Sequence, residues 1–258
     1  MDIALNSTKH GETGQPLIIL HGLFGSARNW QGIARQLADR YTVYTLDLRN
    51  HGLSPHADEM SYSSMAKDVL AFMALNKLDD AIVLGHSMGG KVAMQFASSW
   101  PEKVSKLVIV DIAPVAYTHN FDDVLVGLYH VPLDSVGSRK DADKYLAEKL
   151  STPSLRQFLL QNLVTNTSGG YQWRINLASI EDNMPDIMGF PVSDTGKKYT
   201  GETLFVNGGK STYMASRYRA ATEEKFPTAD FKTIARSGHW PHIESPEEFM
   251  AIVNEFLS

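Results

Sequence analysis

Ala81-Ile82-Val83-Leu84-Gly85-His86-Ser87-Met88-Gly89-Gly90-Lys91-Val92-Ala93-Met94-Gln95-Phe96-Ala97 is the stretch on which the fold turns. Ala81 to Leu84 is an apolar run of strand length, and Lys91 to Ala97 reads as a helix. Between them stands G-x-S-x-G, with Gly85 and Gly89 around Ser87. Strand, G-x-S-x-G and helix in that order describe a nucleophile elbow, a sharp turn that lifts a serine hydroxyl off a sheet edge. The two glycines lack Cβ atoms, so neighbouring backbone can close around a strained serine. The helix N-terminus behind the turn favours negative charge developing there. The plainer alternative is a glycine-rich turn with an incidental serine.

On both sides of this stretch, short apolar runs alternate with amphipathic ones, the rhythm of βα units in a largely parallel sheet. Leu17 to Leu20 is a strand buried on both faces and ends in His21-Gly22. Ile33, Leu37 and Tyr41 mark one face of a helix over about Trp30 to Asp39. Thr42 to Leu46 is the next strand, with Asp47 to Gly52 as its exit loop, and Met65, Val69, Phe72 and Met73 fall at helical spacing within Ser63 to Asn76. After the elbow helix, Leu107 to Val110 is another buried strand, opening into Asp111-Ile112-Ala113-Pro114.

From about Val115 to Thr200 the strand signal fades and helical patterns take over, as in Tyr145 to Leu150 and Leu155 to Leu163. So long a stretch inside a compact domain needs structure of its own. It is expected to be a helical cap, residues 115–200, laid over a core made of residues 1–114 and 201–258. Ser168-Gly169-Gly170 and Pro191 to Thr200 are read as its flexible joints. The α/β rhythm returns with Leu204 to Asn207, a helix near Tyr213 to Lys225 and a strand from Asp230 to Ile234. The last helix, Pro246 to Phe256, starts with Ser245 at its N-cap and Glu248 three residues on, a capping-box pattern.

Composition narrows the chemistry. With 258 residues and 43% hydrophobic content, the chain can bury a sizeable core in one α/β domain carrying an insertion. The net charge of −5 is spread without a basic block, so neither nucleic acid nor an anionic lipid surface is an expected partner. There is no cysteine, which removes disulfides, thiol nucleophiles and thiolate metal sites. Met1 to Asn6 does not look like a signal peptide, and no run approaches the ~18 apolar residues of a membrane span. A soluble cytoplasmic protein is expected.

A serine hydroxyl is a weak nucleophile until a base takes its proton. The candidate base is His239, in Ser237-Gly238-His239-Trp240-Pro241-His242, after the last strand and before the last helix. His242 is read as a supporting residue. The order Ser, acid, His is that of α/β-hydrolases. Their acid usually stands in the loop after the strand preceding the His strand. Here that loop, Asn207 to Tyr213, holds no carboxylate, and Glu202 lies at the wrong end of its strand. Asp111 can fill the vacancy, because it ends the strand after the elbow helix at the carboxyl edge where such sheets gather their catalytic groups. The alternative is that Asp111 only caps a turn before Pro114. Asp47 is the lesser rival and is read as a brace for the Arg49 to Gly52 loop.

Negative charge on a carbonyl oxygen needs two fixed donors. One expected donor is the N–H of Met88. The other is the N–H of Leu23 in His21-Gly22-Leu23-Phe24-Gly25, with Phe24 as the neighbouring possibility. Arg49 to Ser54 could hold a phosphate or carboxylate, or be a hydrogen-bonded brace. Tyr117, Phe121, Tyr129, Phe158 and Trp173 of the cap could line an acyl pocket or simply be core.

His21 to Ser26, Arg49 to Gly52, Gly85 to Lys91, Asp111 to Pro114 and Gly238 to Trp240 together resemble the α/β-hydrolase family, and within it the YbfF-type bacterial esterases. The resemblance spans nearly the whole chain. It implies an α/β-hydrolase fold and hydrolysis of carboxylic esters, including acyl-CoA thioesters, without metal or organic cofactor. It also implies Asp111 as the acid of a Ser87–His239–Asp111 triad. The expected partner is a small-molecule ester or thioester. The competing expectations are a C–C bond hydrolase or lyase on the same fold, and a non-catalytic ligand-binding module.

Overall fold

The computed structural model describes residues 3–118, 121–190 and 198–258. Their strands are β1 (Ser7–His10), β2 (Gln15–Leu20), β3 (Tyr41–Leu46), β4 (Ala81–His86), β5 (Val104–Val110), β6 (Leu163–Thr165), β7 (Tyr171–Trp173), β8 (Thr203–Gly208) and β9 (Ala229–Ile234). Seven of them form one sheet in the order β1-β3-β2-β4-β5-β8-β9. Only the edge strand β1 runs antiparallel to its neighbour; β2, β3, β4, β5, β8 and β9 pair in parallel. Their carboxyl ends therefore share one edge, and every loop of chemical interest leaves from it.

Alternate strand residues face opposite sides. Ile18, Leu20, Val83 and Ile109 pack under α2 (Tyr62–Leu75) and α3 (Met88–Ser99), following α1 (Gln31–Leu37) in the chain. Leu17, Ile19, Leu84 and Val108 form a second core with Ile33 and Leu37 of α1. Covering both faces is what lets the central strands be continuously apolar, each fully buried Leu or Ile stabilising by about 1.5–3 kcal/mol.

Between β5 and β8 come α4 (Asp122–His130), α5 (Arg139–Ala147), α6 (Pro153–Leu159), the hairpin β6–β7, α7 (Leu177–Asp182) and α8 (Met184–Met188). Leu128, Leu146, Leu159 and Ile180 from this segment join the same core as Ile18 and Ile109. Polar bonds fix it over the carboxyl edge: Asn162 Nδ2 donates to Phe24 O at 2.8 Å, Asn50 Nδ2 to Ser179 Oγ at 3.0 Å, and Tyr62 OH to Ile187 O at 2.6 Å. After β8 follow α9 (Arg219–Lys225), α10 (Pro241–Glu244) and α11 (Pro246–Leu257), with Phe249 and Val253 of α11 in the second core.

Several expectations change. The edge strand β1 carried no apolar signal, because Ser7-Thr8-Lys9-His10 is half exposed along its length. The segment between β5 and β8 contains a hairpin, and Gly169, at φ +85°, belongs to its loop, closed by Asn166 N donating to Gly170 O at 2.8 Å. Ser168-Gly169-Gly170 is thus a hairpin turn and not a joint between units. Of the second expected joint, residues 191–197 lie outside the described residues. Trp30 to Asp39 resolves into a 3₁₀ turn, Ala27–Trp30, followed by α1, and the helix near Tyr213 to Lys225 starts only at Arg219. Ser245 makes no side-chain cap; its hydroxyl instead accepts from Ser237 Oγ at 2.8 Å, so the capping box does not form.

Candidate active site

Ser87 follows β4 and heads α3 with φ 53° and ψ −121°, a conformation that costs a non-glycine residue roughly 1–3 kcal/mol. Its backbone holds it there: Ser87 N donates to Val110 O at 3.0 Å, and Lys91 N donates to Ser87 O at 3.1 Å. The flanking glycines are obligatory by contact. A Cβ on Gly85 would stand 2.2 Å from Gly89 O, and one on Gly89 would stand 2.4 Å from the carbonyl oxygens of both Leu20 and His21.

His239 and Asp111 reach this serine from two other loops. His239 Nε2 is 3.0 Å from Ser87 Oγ, and His239 Nδ1 is 2.7 Å from Asp111 Oδ2. With Nδ1–H donating to the carboxylate, Nε2 is left to accept from the serine hydroxyl. Asp111 is fully buried at the end of β5, with φ 50° and its N–H donating to Val206 O at 2.9 Å. Its Oδ1 accepts from Gly208 N at 3.0 Å, and its Oδ2 also accepts from Ser211 Oγ at 2.5 Å. The sequence reading missed Ser211, although it lies in the loop found empty of a carboxylate.

Other neighbours hold His239 in place. His86 Nε2–H donates to His239 O at 2.8 Å, and the Glu244 carboxylate accepts from Gly238 N at 2.8 Å and from Trp240 N at 3.1 Å. Tyr213 stacks on the imidazole with centroids 4.2 Å apart. Burial holds His86 well below the usual histidine range, with His239 and His242 adding to the effect. His242 does not reach the serine. It stacks on Trp30 at 4.0 Å, and burial pushes it down to about 3.

The loop after β2 turns beside the elbow, with Gly25 N donating to Gly22 O at 2.9 Å. A Cβ on Gly22 would lie 3.2 Å from Ser87 Cβ, so a side chain there would crowd Ser87. The two candidate donors in this loop differ in their commitments. Phe24 N already donates to His51 Nε2 at 3.1 Å. Among the described residues, the N–H groups of Leu23 and Met88 have no partner. His51 donates its one ring N–H, at Nδ1, to Arg49 O at 2.9 Å and is neutral, burial pushing it down to about 3.

Arg49 and Asp47 brace this architecture. The Arg49 guanidinium is buried and bidentate to Asp68 at 2.6 and 2.8 Å, with a third bond to Glu59 O at 2.8 Å, so it offers no anion site. Asp47 accepts from Ala27 N at 2.7 Å, Asn6 Nδ2 at 2.8 Å and Leu53 N at 2.9 Å, tying three loops together without approaching His239.

Two cavities meet at Ser87. The larger, about 260 Å³, is lined by Trp30, Phe121, Phe158, His239 and Trp240 among others. The smaller, about 20 Å³, lies among Met88, Lys91, Ile112, Tyr117, Ile187 and Met188. Of the five aromatics expected between residues 115 and 200, Phe121 and Phe158 line the large cavity, and Tyr117, with Phe121 again, the small one. Tyr129 is exposed and donates to Glu181 at 2.8 Å, and Trp173 donates to Leu128 O at 3.1 Å, so both bond within the segment between β5 and β8. No cluster of three or more His, Asp or Glu side chains able to hold a metal occurs among the described residues.

The alpha/beta hydrolase fold family matches residues 15–246. The chain belongs to that family. An sn-1-specific diacylglycerol lipase of Danio rerio is 40% identical over 251 residues, covering 94% of this chain and 78% of that protein. The esterase YbfF of Escherichia coli is 31% identical over 259 residues, covering 100% and 99% of the two chains. A solved marine microorganism esterase superposes with TM-score 0.95 at 40% identity, covering 99% of this α/β hydrolase and 100% of that one.

Proposed function

We propose that this α/β hydrolase is a carboxylic ester hydrolase that works through a Ser87 acyl-enzyme. The observation that carries the proposal is the His239 ring, which bridges Ser87 Oγ at 3.0 Å and Asp111 Oδ2 at 2.7 Å from a third loop of the same sheet edge. His239 takes the Ser87 proton as the oxygen attacks the ester carbonyl, and the Leu23 and Met88 N–H groups hold the oxyanion. Asp111 fixes the tautomer and balances the imidazolium. His239 Nε2–H then protonates the leaving alcohol. In the second half, water gives a proton to Nε2 as its oxygen attacks the acyl carbon, and Nε2–H returns that proton to Ser87 Oγ as the acyl C–O bond breaks and the carboxylic acid leaves.

Relatives that are themselves named esterases and a lipase support ester bonds as the substrate class, and the same steps apply to a thioester. Residues 115–200 act as a cap over a core of residues 1–114 and 201–258, and the substrate is a small molecule. No described helix is long and apolar enough to cross a membrane. Turnover of p-nitrophenyl acetate and butyrate by the wild-type chain, lost in Ser87→Ala, is the expected result. An inert wild type, or a Ser87→Ala variant as fast as wild type, would overturn the proposal.

A further inference from the structure

We infer that the acyl half of the ester is short, about two to four carbons, and enters the small cavity beside Lys91, while the alcohol half occupies the large aromatic cleft. The inference rests on the ester-hydrolase reading and adds which half of the substrate goes where.

The direction follows from proton transfer. Ser87 lines both cavities, whereas His239 lines only the larger. The leaving oxygen must come within about 2.6–3.2 Å of His239 Nε2 to receive its proton. The alcohol half therefore extends on the cleft side of Ser87. Met88, whose N–H faces the developing oxyanion, lines the smaller cavity, and the remaining substituent of the carbonyl carbon is left to that side.

Size then sets the chain length. The small cavity, at about 20 Å³ against about 260 Å³ for the cleft, has room for roughly one to three carbons beyond the carbonyl without rearrangement. Lys91 is among the residues that line it. Lys91 is 2% exposed, one turn along α3 from Ser87, and its ammonium donates to Met188 O at 3.1 Å and to Gly189 O. The ammonium also lies 4.8 Å over the Tyr117 ring and 5.6 Å over the Tyr62 ring. A longer alkyl chain would have to push past the buried Lys91 amine and part it from the Met188 and Gly189 carbonyls, and a buried polar group left without partners is costly.

The other side is open. Asn29, Phe158, Trp240 and His242 line the large cleft and also a neighbouring groove of about 290 Å³, so a bulky apolar alcohol can continue past the Phe158–Trp240 pair. These two rings stand 5.8 Å apart.

Two matched ester series test the assignment on the intact chain. In p-nitrophenyl esters from acetate to decanoate, kcat/KM is expected to fall at least ~100-fold from acetate to octanoate, since one ill-fitting methylene alone is worth about 10–200-fold. In acetate esters from methyl to naphthylmethyl, kcat/KM is expected to rise. Lys91→Met and Met188→Ala, which remove the Lys91 amine and part of the wall, should each raise the hexanoate-to-acetate ratio at least ~10-fold. Having two variants keeps the test valid if one fails to fold. A preference for long acyl chains on small alcohols, or an unchanged ratio in both folded variants, overturns the assignment while leaving ester hydrolysis intact. Failure to hydrolyse any ester in either series removes the parent reading as well.

Discussion

Ser211 Oγ lies 2.5 Å from Asp111 Oδ2, the same carboxylate oxygen that meets His239 Nδ1 at 2.7 Å. The loop after β8, where α/β-hydrolases commonly keep their acid, thus supplies a hydroxyl that steadies an acid standing on the neighbouring strand. A hydrogen bond to a charged group is worth about 1.5–3 kcal/mol. Gly208 N–H still donates to Oδ1 when Ser211 is removed, so the carboxylate keeps one anchor. Ser211→Ala is expected to lower kcat about tenfold with little change in KM and an unchanged circular dichroism spectrum. A kcat equal to wild type would make the hydroxyl a bystander.

Asp111→Asn should lower kcat by about 10⁴ while the protein stays folded, because an amide cannot hold the productive imidazole tautomer or balance its charge. Adding Ser211→Asp to that variant returns a carboxylate to the immediate neighbourhood of His239 Nδ1, and at least tenfold of the loss should come back. Asp47→Asn should behave differently. Its carboxylate accepts from Ala27, Asn6 and Leu53, so the variant should melt several degrees lower and keep its kcat per folded molecule. Loss of kcat in folded Asp47→Asn together with normal turnover in Asp111→Asn would exchange the two assignments.

What could be read from the chain and what could not divide along physical lines. Strand ends are legible because two-sided burial makes β2, β4 and β5 continuous apolar runs, broken off at His21-Gly22, Gly85-His86-Ser87 and Asp111. That alone puts Ser87, Asp111 and the His21–Gly25 loop at one edge. β1 was invisible because its residues are polar and it pairs only at the sheet margin. Ser211 and Glu244 act through bonds that no spacing rule announces. His86 stands inside the elbow motif, and only the fold shows its ring bonding to the His239 carbonyl 153 residues away. Trp30 was read as the edge of a helix, but it lines the cleft and stacks on His242.

Stability should fall on acidification for a reason the buried histidines supply. His21, His51, His86 and His242 are all held below the unfolded value by burial, His51 and His242 down to about 3. Above pH ~6.5 all four are neutral in both states and their contribution is complete. As pH falls below that, the unfolded chain binds protons that the folded chain refuses, so stability is lost progressively until about pH 3, where the native His51 and His242 also titrate. Urea midpoints measured from pH 7.5 to 4.5 should decline steadily. His242→Phe keeps a ring against Trp30 and removes a buried Nδ1 that has no partner, so its decline should be shallower. A midpoint that tracks wild type at every pH would show that His242 does not contribute.

The most direct test is the covalent fate of Ser87. Incubation with a fluorophosphonate, followed by intact-mass measurement and peptide mapping, should show one adduct per chain on Ser87, complete loss of esterase activity, and no adduct in Ser87→Ala. A fully hydrolytic enzyme that stays unlabelled at Ser87, or that carries its adduct on another residue, would contradict a Ser87 acyl-enzyme.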